Sequence, residues 1–362
     1  MKIALLKKAD IIGVLLSRIL RVPRALSHGS GTFLIIRPGG IGDAVLLVPA
    51  IRALHEKFPG ASVDILAERR NFRVFDLCPE IRNVFLYDKP LDLFRVLRCR
   101  YDVVIDTEQW HRLSAIVARV VRSGEKIGFD TNERRRMFTH AVKYSQDEYE
   151  TVNFLCLFRH LADTLSFAFG EPYLVLTNEK LLGVASSLLR NKSYVVLFPG
   201  ASVPERRWGA ERFREMAEWL NNCGLLPVVV GGKGDHGIGD QIVSRCGVNL
   251  AGTTSLTATA AIVAGAILII SGDSGILHIA VGLGVPTVSL FGPGRAKKWA
   301  PRGDNHIVIN KDLPCSPCTT FGYTPRCPIN ARCMTEISVD EVEEAVLTLL
   351  SRKNFDGNQQ KP

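Results

Sequence analysis

The sequence predicts an α/β protein of two doubly wound domains, each built on a parallel sheet, facing each other across a cleft. Three observations carry that expectation. The chain has 362 residues, more than a single hydrophobic core usually serves. From Gly31 onward, short β-branched runs alternate with longer amphipathic ones, and the strand runs are apolar almost throughout. That pattern marks parallel strands covered on both faces by helices. The same rhythm then restarts at Tyr194, which makes a second domain rather than a longer first one.

In the first series the expected strands are 33–37, 63–67, 84–87, 103–106 and 126–129, with helices over 44–58 and 112–121. The second series has strands at 194–198, 227–231, 248–251, 267–271 and 287–291, with helices over 210–221, 255–264 and 276–283. The join falls near 170–192, and 338–352 reads as a closing helix. The expected organisation is therefore a basic arm 1–30, an N-terminal domain 31–180, a C-terminal domain 181–350 and a polar tail 351–362. No short-period repeat or low-complexity tract interrupts it.

Composition is ordinary for a globular chain, with 46% hydrophobic and 22% charged residues, which excludes collagen-like, disulfide-dense and largely disordered classes. No run of about 18 uncharged apolar residues suggests a spanning helix. The net charge of +9 is unevenly placed: residues 1–30 alone carry six Lys/Arg against one Asp. The two domains are near balance, so nucleic acid is not the expected partner. In the arm, Leu5, Ile12, Leu16 and Ile19 fall at helical spacing among Lys7, Lys8, Arg18 and Arg21. Such a helix suits an anionic membrane surface or a dock on the protein itself. It does not read as a secretory signal, because the apolar run is short and no small-residue cleavage site follows.

In open α/β sheets ligands bind beyond the carboxyl ends of the strands, so the residues that follow strands matter most. The first strand leads into Pro38-Gly39-Gly40-Ile41-Gly42-Asp43. Gly40 and Gly42 allow another molecule to approach the backbone closely. A dinucleotide fingerprint is disfavoured by Val45, where Gly or Ala is required, and by Asp43, which would repel a pyrophosphate. Glu68, after the second strand, keeps a ribose contact open. Asp43 itself has two readings, a helix N-cap or a general base that takes a proton from an acceptor hydroxyl. On spacing alone the cap is favoured.

Three segments of the second half add to this. Pro199-Gly200-Ala201-Ser202 runs into Arg206-Arg207-Trp208, a turn with a hydroxyl and two planar cations suited to phosphate. Ser271-Gly272-Asp273-Ser274-Gly275 precedes His278. Small residues there leave a helix N-terminus open to an anion, with capping as the plain reading of Asp273 and a packed structural role for His278. Gly231-Gly232-Lys233-Gly234-Asp235 places an acid after a second strand, where ribose hydroxyls are commonly bound. Thr253 and Thr254 follow another strand and border the same region.

Taken together, Arg37-Pro38-Gly39-Gly40-Ile41-Gly42-Asp43 with Pro49 in the next helix, the Pro-Gly-Ala…Arg206-Arg207-Trp208 run and Asp273-Ser274-Gly275…His278 resemble glycosyltransferase family 9. The likeness runs from about residue 32 to 350. It implies a GT-B fold of two Rossmann-like domains and inverting transfer of heptose from ADP-heptose to a lipopolysaccharide inner core. It also implies Asp43 as the base, and donor contacts at Ser202, Arg206, Arg207, Asp273, Ser274 and Gly275. Arg206 stands where the family usually has Lys. Asp235, Thr253 and Thr254 are then nucleotide contacts, while Phe291-Gly292-Pro293-Gly294 matches a close-approach loop. Gly40, Gly42, Arg69 and Arg70 would lie near the acceptor. No metal is implied for catalysis, and no Asp-x-Asp pair follows a strand. The partners implied are a nucleotide sugar and an anionic lipid-linked acceptor, on a cytoplasmic enzyme at the face of the inner membrane. A glycosyltransferase for another sugar, a nucleotide-sugar epimerase and a non-catalytic carbohydrate-binding protein are the competing readings.

Four of the nine cysteines lie close together as Cys315-x2-Cys318-x8-Cys327-x5-Cys333. Structural zinc, disulfides and free thiols all fit that spacing. A similar loop occurs in some family 9 members and not in others.

Overall fold

The computed structural model describes residues 31–176, 189 and 192–359, with side chains described as far as Arg352. The chain divides into two compact units, one ending at Phe167 and the other beginning at Ala168. The basic arm 1–30 lies outside the described residues.

The first unit holds strands β1 (Thr32–Arg37), β2 (Ser62–Ala67), β3 (Ile81–Leu86), β4 (Arg100–Asp106), β5 (Arg122–Phe129) and β6 (His140–Val142). All pair in parallel, in the order β3-β2-β1-β4-β5-β6. Helices α1 (Ile41–Lys57), α2 (Pro90–Arg98), α3 (Arg112–Val120) and α4 (Glu150–Phe158) complete it. The centre of β1 is fully buried, as are Ala44 to Val48 of α1, which is why both read as uninterrupted apolar runs. Pro49 lies inside α1, and the hydroxyl of Thr151 in α4 donates to the carbonyl of Leu46 at 3.1 Å.

The second unit repeats the plan with β7 (Tyr194–Phe198), β8 (Leu226–Val229), β9 (Val248–Asn249), β10 (Leu268–Gly272), β11 (Thr287–Phe291) and β12 (His306–Asn310). The order is β12-β11-β10-β7-β8-β9, again parallel. Its helices are α5 (Ala210–Asn222), α6 (His236–Ile242), α7 (Leu256–Ala264), α8 (Gly275–Gly282), α9 (Ala296–Trp299), α10 (Arg332–Thr335) and α11 (Val339–Gln359). Residues near the join belong to this unit: the N–H groups of Tyr173 and Leu174 both donate to the carbonyl of Gly282.

Seven of these elements are not among those expected: β6, β12, α2, α4 and the short helices α6, α9 and α10. The strand β6 is three residues long, and β12 is an edge strand half-buried throughout. Helix α2 begins on Pro90 at its first position. In α4 the buried Glu150 and Asn153 break the apolar period. The closing helix also runs through Gln359, so residues 351–359 continue it instead of forming a separate tail.

In each sheet the chain order reverses between two neighbouring strands, β1 and β4 in the first, β7 and β10 in the second. Loops leaving such a pair run in opposite directions and open a crevice at the strand ends. The candidate residues collect at both positions.

Candidate functional site

At the first reversal the loops after β1 and β4 share a buried polar cluster. Arg37 closes β1 and is almost fully buried. Its Nη1 donates to the carbonyl of Thr107 at 2.8 Å, and its Nη2 donates to Glu108 Oε2 at 3.2 Å and Gln109 Oε1 at 3.3 Å. The same Nη2 lies 4.0 Å from Asp43 Oδ2. A buried cation in this position fixes the β4 loop against the β1 loop, because each partner satisfies part of its desolvated fork.

Asp43 is not the N-cap of α1. Gly40 holds that position without a side-chain bond, and Asp43 stands in the first turn of the helix. The Asp43 carboxylate lies over Gly40, with Oδ2 3.4 Å from where a Cβ there would be, and faces the β4 loop with Oδ1. Gln109 Nε2 lies 3.5 Å from Asp43 Oδ1 and donates to Glu150 Oε1 at 2.7 Å. Glu150 is fully buried and accepts from the Tyr144 hydroxyl and from Asn153. Burial pushes the Asp43 pKa up to about 6, with Arg37 opposing and the Glu150 and Glu108 carboxylates reinforcing the rise. Burial works against the Glu108 charge too, but Arg37, then Arg134 and His111, hold its carboxyl below the ordinary range. The arrangement is one half-buried carboxylate, 21% exposed, that can accept a proton near neutral pH, beside a carboxylate that stays ionised.

The cations beyond β2 are paired locally. Arg69 meets Asp88 at 3.1 Å, and Arg70 meets Glu68 at 2.7 Å, with both arginines largely exposed. The Glu68 carboxylate is thereby engaged by Arg70. A Cβ on Gly39, which has φ +109°, would lie 3.0 Å from Arg37 Nη2 and 3.9 Å from Arg70 Nη2, so the loop backbone sits between these cations.

At the second reversal, Arg206 from the β7 loop meets Asp273 from the β10 loop, Nη1 to Oδ2 at 3.0 Å. Its Nη2 is 3.4 Å from Thr324 Oγ1, while its Nε is buried with no hydrogen-bond partner. Trp208 anchors the loop: it is buried, its indole N–H donates to the carbonyl of Ile337 at 2.9 Å, and Phe213 packs edge-on at 5.1 Å. Arg207 donates to the carbonyl of Ala201 at 3.2 Å, and Ser202 lies in the same loop.

Asp273 is likewise not a cap. Ser274 takes that role for α8, accepting from the N–H of Leu277 at 3.2 Å, and Gly275 is the first helical residue. Asp273 is therefore free to orient Arg206. The β11 loop presses on it, since a Cβ on Gly294 would lie 2.5 Å from Asp273 Oδ2. His278 is buried and its pKa falls to about 4 through burial, the environment of a packed neutral imidazole.

Asp235 folds back on its own turn. Its Oδ2 accepts from the N–H of Gly232 at 2.8 Å, and a Cβ on either Gly200 or Gly231 would come within 2.8 Å of it. It thus ties the β8 loop to the β7 loop. Thr253 donates to the carbonyl of Leu250, and Thr254 shares a hydrogen bond with Thr259. The N–H of Gly252 donates to the carbonyl of Gly231, which keeps these threonines beside the β8 loop.

The cysteine-rich loop is stitched to the same edge. The N–H groups of Cys318 and Thr319 both donate to the carbonyl of Pro293, and Ser316 donates to that of Gly292. The Cys333 thiol is pushed up to about 11 by burial and then by Cys318, Cys327 and Cys315. Among the described residues, ligand atoms of three candidate metal-binding side chains come within 4.8 Å of one another at Glu125, His140 and His160. The four cysteine sulfurs are not drawn to that spacing, so an ion there would have to gather them.

Arg37 stood in the sequence motif without a role, and Glu108, Gln109, Glu150 and Arg295, whose Nε is buried without a partner in the β11 loop, were not singled out. Arg37 carried a signal: it is a cation at the end of an otherwise apolar strand. Glu150 carried none, because Gln109, which links it to Asp43, lies 41 residues away in sequence.

The match to known proteins follows this geometry. The family model for glycosyltransferase family 9 (heptosyltransferase) covers residues 91–324. Lipooligosaccharide heptosyltransferase 2 of Campylobacter jejuni is 23% identical over 86% of this chain and 97% of its own. Lipopolysaccharide heptosyltransferase 3 of Escherichia coli is 26% identical over 74% of this chain and 85% of its own. The solved structure of E. coli ADP-heptose lipopolysaccharide heptosyltransferase II aligns with a TM-score of 0.74 at 20% identity, covering 89% of this chain and 99% of that one. A family 9 structure from Veillonella parvula gives 0.77 at 21% identity, over 91% of this chain and all of that one. With two parallel Rossmann-like domains as in those structures and the family model covering more than half its length, this chain belongs to glycosyltransferase family 9, the heptosyltransferase family.

Proposed function

We propose that the chain transfers a heptose with inversion from ADP-heptose to the lipopolysaccharide inner core, at the cytoplasmic face of the inner membrane. The observation that carries this is Asp43, a half-buried carboxylate at a sheet reversal with a pKa of about 6. Such a group is ionised at neutral pH yet close enough to neutrality to accept a proton in a transition state. In the proposed step, Asp43 takes the proton of an acceptor hydroxyl as its oxygen bonds to the anomeric carbon of heptose. The bond from that carbon to the diphosphate breaks, and ADP leaves with the electron pair.

The second unit's residues take the donor. Arg206, Arg207, Ser202 and the N–H groups at Ser274 and Gly275 hold the diphosphate, whose growing charge needs fixed donors. Asp273 orients Arg206 and accepts from sugar hydroxyls. Asp235, Thr253 and Thr254 border the nucleoside, while Gly40, Gly42, Arg69 and Arg70 border the acceptor. Cys315, Cys318, Cys327 and Cys333 are proposed to hold a structural zinc that brackets the β11 loop, apart from the chemistry. The heptosyltransferase names of the two curated relatives support the choice of sugar.

The test is incubation with ADP-heptose, with and without heptose-deficient lipopolysaccharide. ADP release that depends on acceptor supports the proposal. Conversion of donor without acceptor would make the protein an epimerase, and no conversion in either arm would leave a carbohydrate-binding protein.

A further inference from the structure

Helix α2 (Pro90–Arg98) turns its one acid inward with Leu93, Val96 and Leu97, and leaves Leu91 and Phe94 outward. Asp92 is buried, accepting from the N–H of Leu86 at 3.2 Å and pairing with Lys89 and Arg95 at 3.4 and 3.7 Å. Val96 is buried in the core, and Leu93 and Leu97 pack against it. Leu91 and Phe94 are instead 67% and 54% exposed. With Arg95 and Arg98 they fall at i, i+3, i+4 and i+7, a single helical face. The Arg98 guanidinium stands 5.0 Å from the centre of the Phe94 ring. Isolated exposed apolar residues are ordinary. A Leu–Phe pair among cations, on a helix whose acid is withdrawn, is the pattern of a helix lying in a charged interface.

Its place in the fold supports the same partner. Helix α2 follows β3 after a short loop, at the carboxyl ends of the strands. There Asp88 pairs with Arg69 of the β2 loop, so α2 begins at the same carboxyl end of the sheet as the β1 loop. Among the described residues no helix is long and apolar enough to cross a membrane.

We propose that the Leu91–Phe94–Arg95–Arg98 face rests on an anionic phospholipid surface. Leu91 and Phe94 enter the headgroup layer, and the two arginines meet lipid phosphates. The inference rests on the proposed function, in which the acceptor is anchored in a membrane, and it adds the surface that brings the β1 loop to it.

The test uses the full chain in flotation with phosphatidylethanolamine vesicles containing about 30% phosphatidylglycerol, and with phosphatidylcholine vesicles. Wild type should float with the anionic vesicles, and less so as salt is raised. The double variant L91S/F94S should lose about tenfold or more in vesicle partition. The variant R95E/R98E should bind the anionic vesicles about tenfold more weakly than wild type. Both pairs are at the surface, so unchanged thermal unfolding is expected and is measured alongside. L91S/F94S should still turn over a deacylated, water-soluble acceptor as wild type does, and fail selectively on vesicle-embedded acceptor. Vesicle binding equal to wild type in both variants would overturn the proposal. Absence of transfer to either acceptor by wild type would instead refute the functional reading, and flotation would still decide this one.

Discussion

Asp43→Asn separates the two consequences of burying a carboxylate beside two others. Burial, reinforced by Glu150 and Glu108 and opposed by Arg37, raises the Asp43 pKa from 3.8 to about 6. A tenfold change in proton affinity is worth about 1.4 kcal/mol, so ionised Asp43 costs the folded domain about 3 kcal/mol. The folded pKa lies above the unfolded one. The cost is therefore absent well below pH 3.8, grows as pH rises between the two values, and is complete above about 6. Asn is neutral throughout, and its carbonyl oxygen can accept from Gln109 Nε2 where Asp43 Oδ1 now lies. The variant should be more stable than wild type at pH 8 by about 1–3 kcal/mol, the lower figure allowing for an amide facing Arg37. Between pH 8 and about pH 4.5 that advantage should shrink by about 2 kcal/mol.

Hydrogen exchange in peptides spanning α1, corrected for the intrinsic pH dependence, reads this difference in the domain concerned. Transfer should fall by about 10²–10⁴-fold in kcat, the usual contribution of a positioned base, while ADP-heptose binding is kept. The two results constrain each other, because a variant that is more stable than wild type cannot be inactive through unfolding. A stability difference that is independent of pH would refute the account of why Asp43 titrates high. Substantial retained turnover would refute its role as base.

Three further outcomes follow from the same geometry. Glu150→Gln removes a like charge from the neighbourhood of Asp43, so the acid limb of the pH profile of kcat/KM, expected near pH 6, should move to lower pH; an unmoved limb would separate Glu150 from the base. Gly294→Ala puts a methyl group 2.5 Å from Asp273 Oδ2, which displaces Asp273 from Arg206; calorimetry with ADP-heptose should show binding weaker by about tenfold or more, the scale of losing a charge-assisted contact. Elemental analysis of metal-replete protein should find zinc near one per chain, and less than about 0.1 per chain would end the zinc proposal for the four cysteines.

What was legible in the sequence is what local pattern encodes. The apolar strands β1, β7 and β11 are buried along nearly their whole length, so their runs needed no partner to be recognised. The elements that went unread are those whose identity depends on tertiary context. The edge strand β12 takes only one neighbour, and β6 takes three residues of pairing from β5. Helix α4 hides its amphipathic period because Glu150 and Asn153 face inward, where polar partners satisfy them. The same division holds at the sites. Gly-rich loops after strands announced where ligands would bind, but local rules assigned Asp43 and Asp273 to caps. Both caps belong to other residues, Gly40 and Ser274.

That displacement is itself informative about how the fold frees its acids. A capping carboxylate spends its oxygens on helix N–H groups and is held ionised by them. With a glycine cap on α1 and a serine cap on α8, Asp43 falls inside the first turn and Asp273 just ahead of the cap. Each acid then has oxygens available for other work. The outcomes differ because the neighbours differ. Asp43 titrates high chiefly through burial, with Glu150 and Glu108 adding to the rise and Arg37 at 4.0 Å opposing it. Asp273 faces Arg206 at 3.0 Å and forms an ion pair. One motif, an acid beside a glycine after a buried parallel strand, therefore yields a proton acceptor in one sheet and an arginine holder in the other. The choice between them is made by burial and by residues from other elements, Glu108 of the β4 loop and Glu150 of α4 in one sheet and Arg206 of the β7 loop in the other, which is why it could be read only once the fold was known.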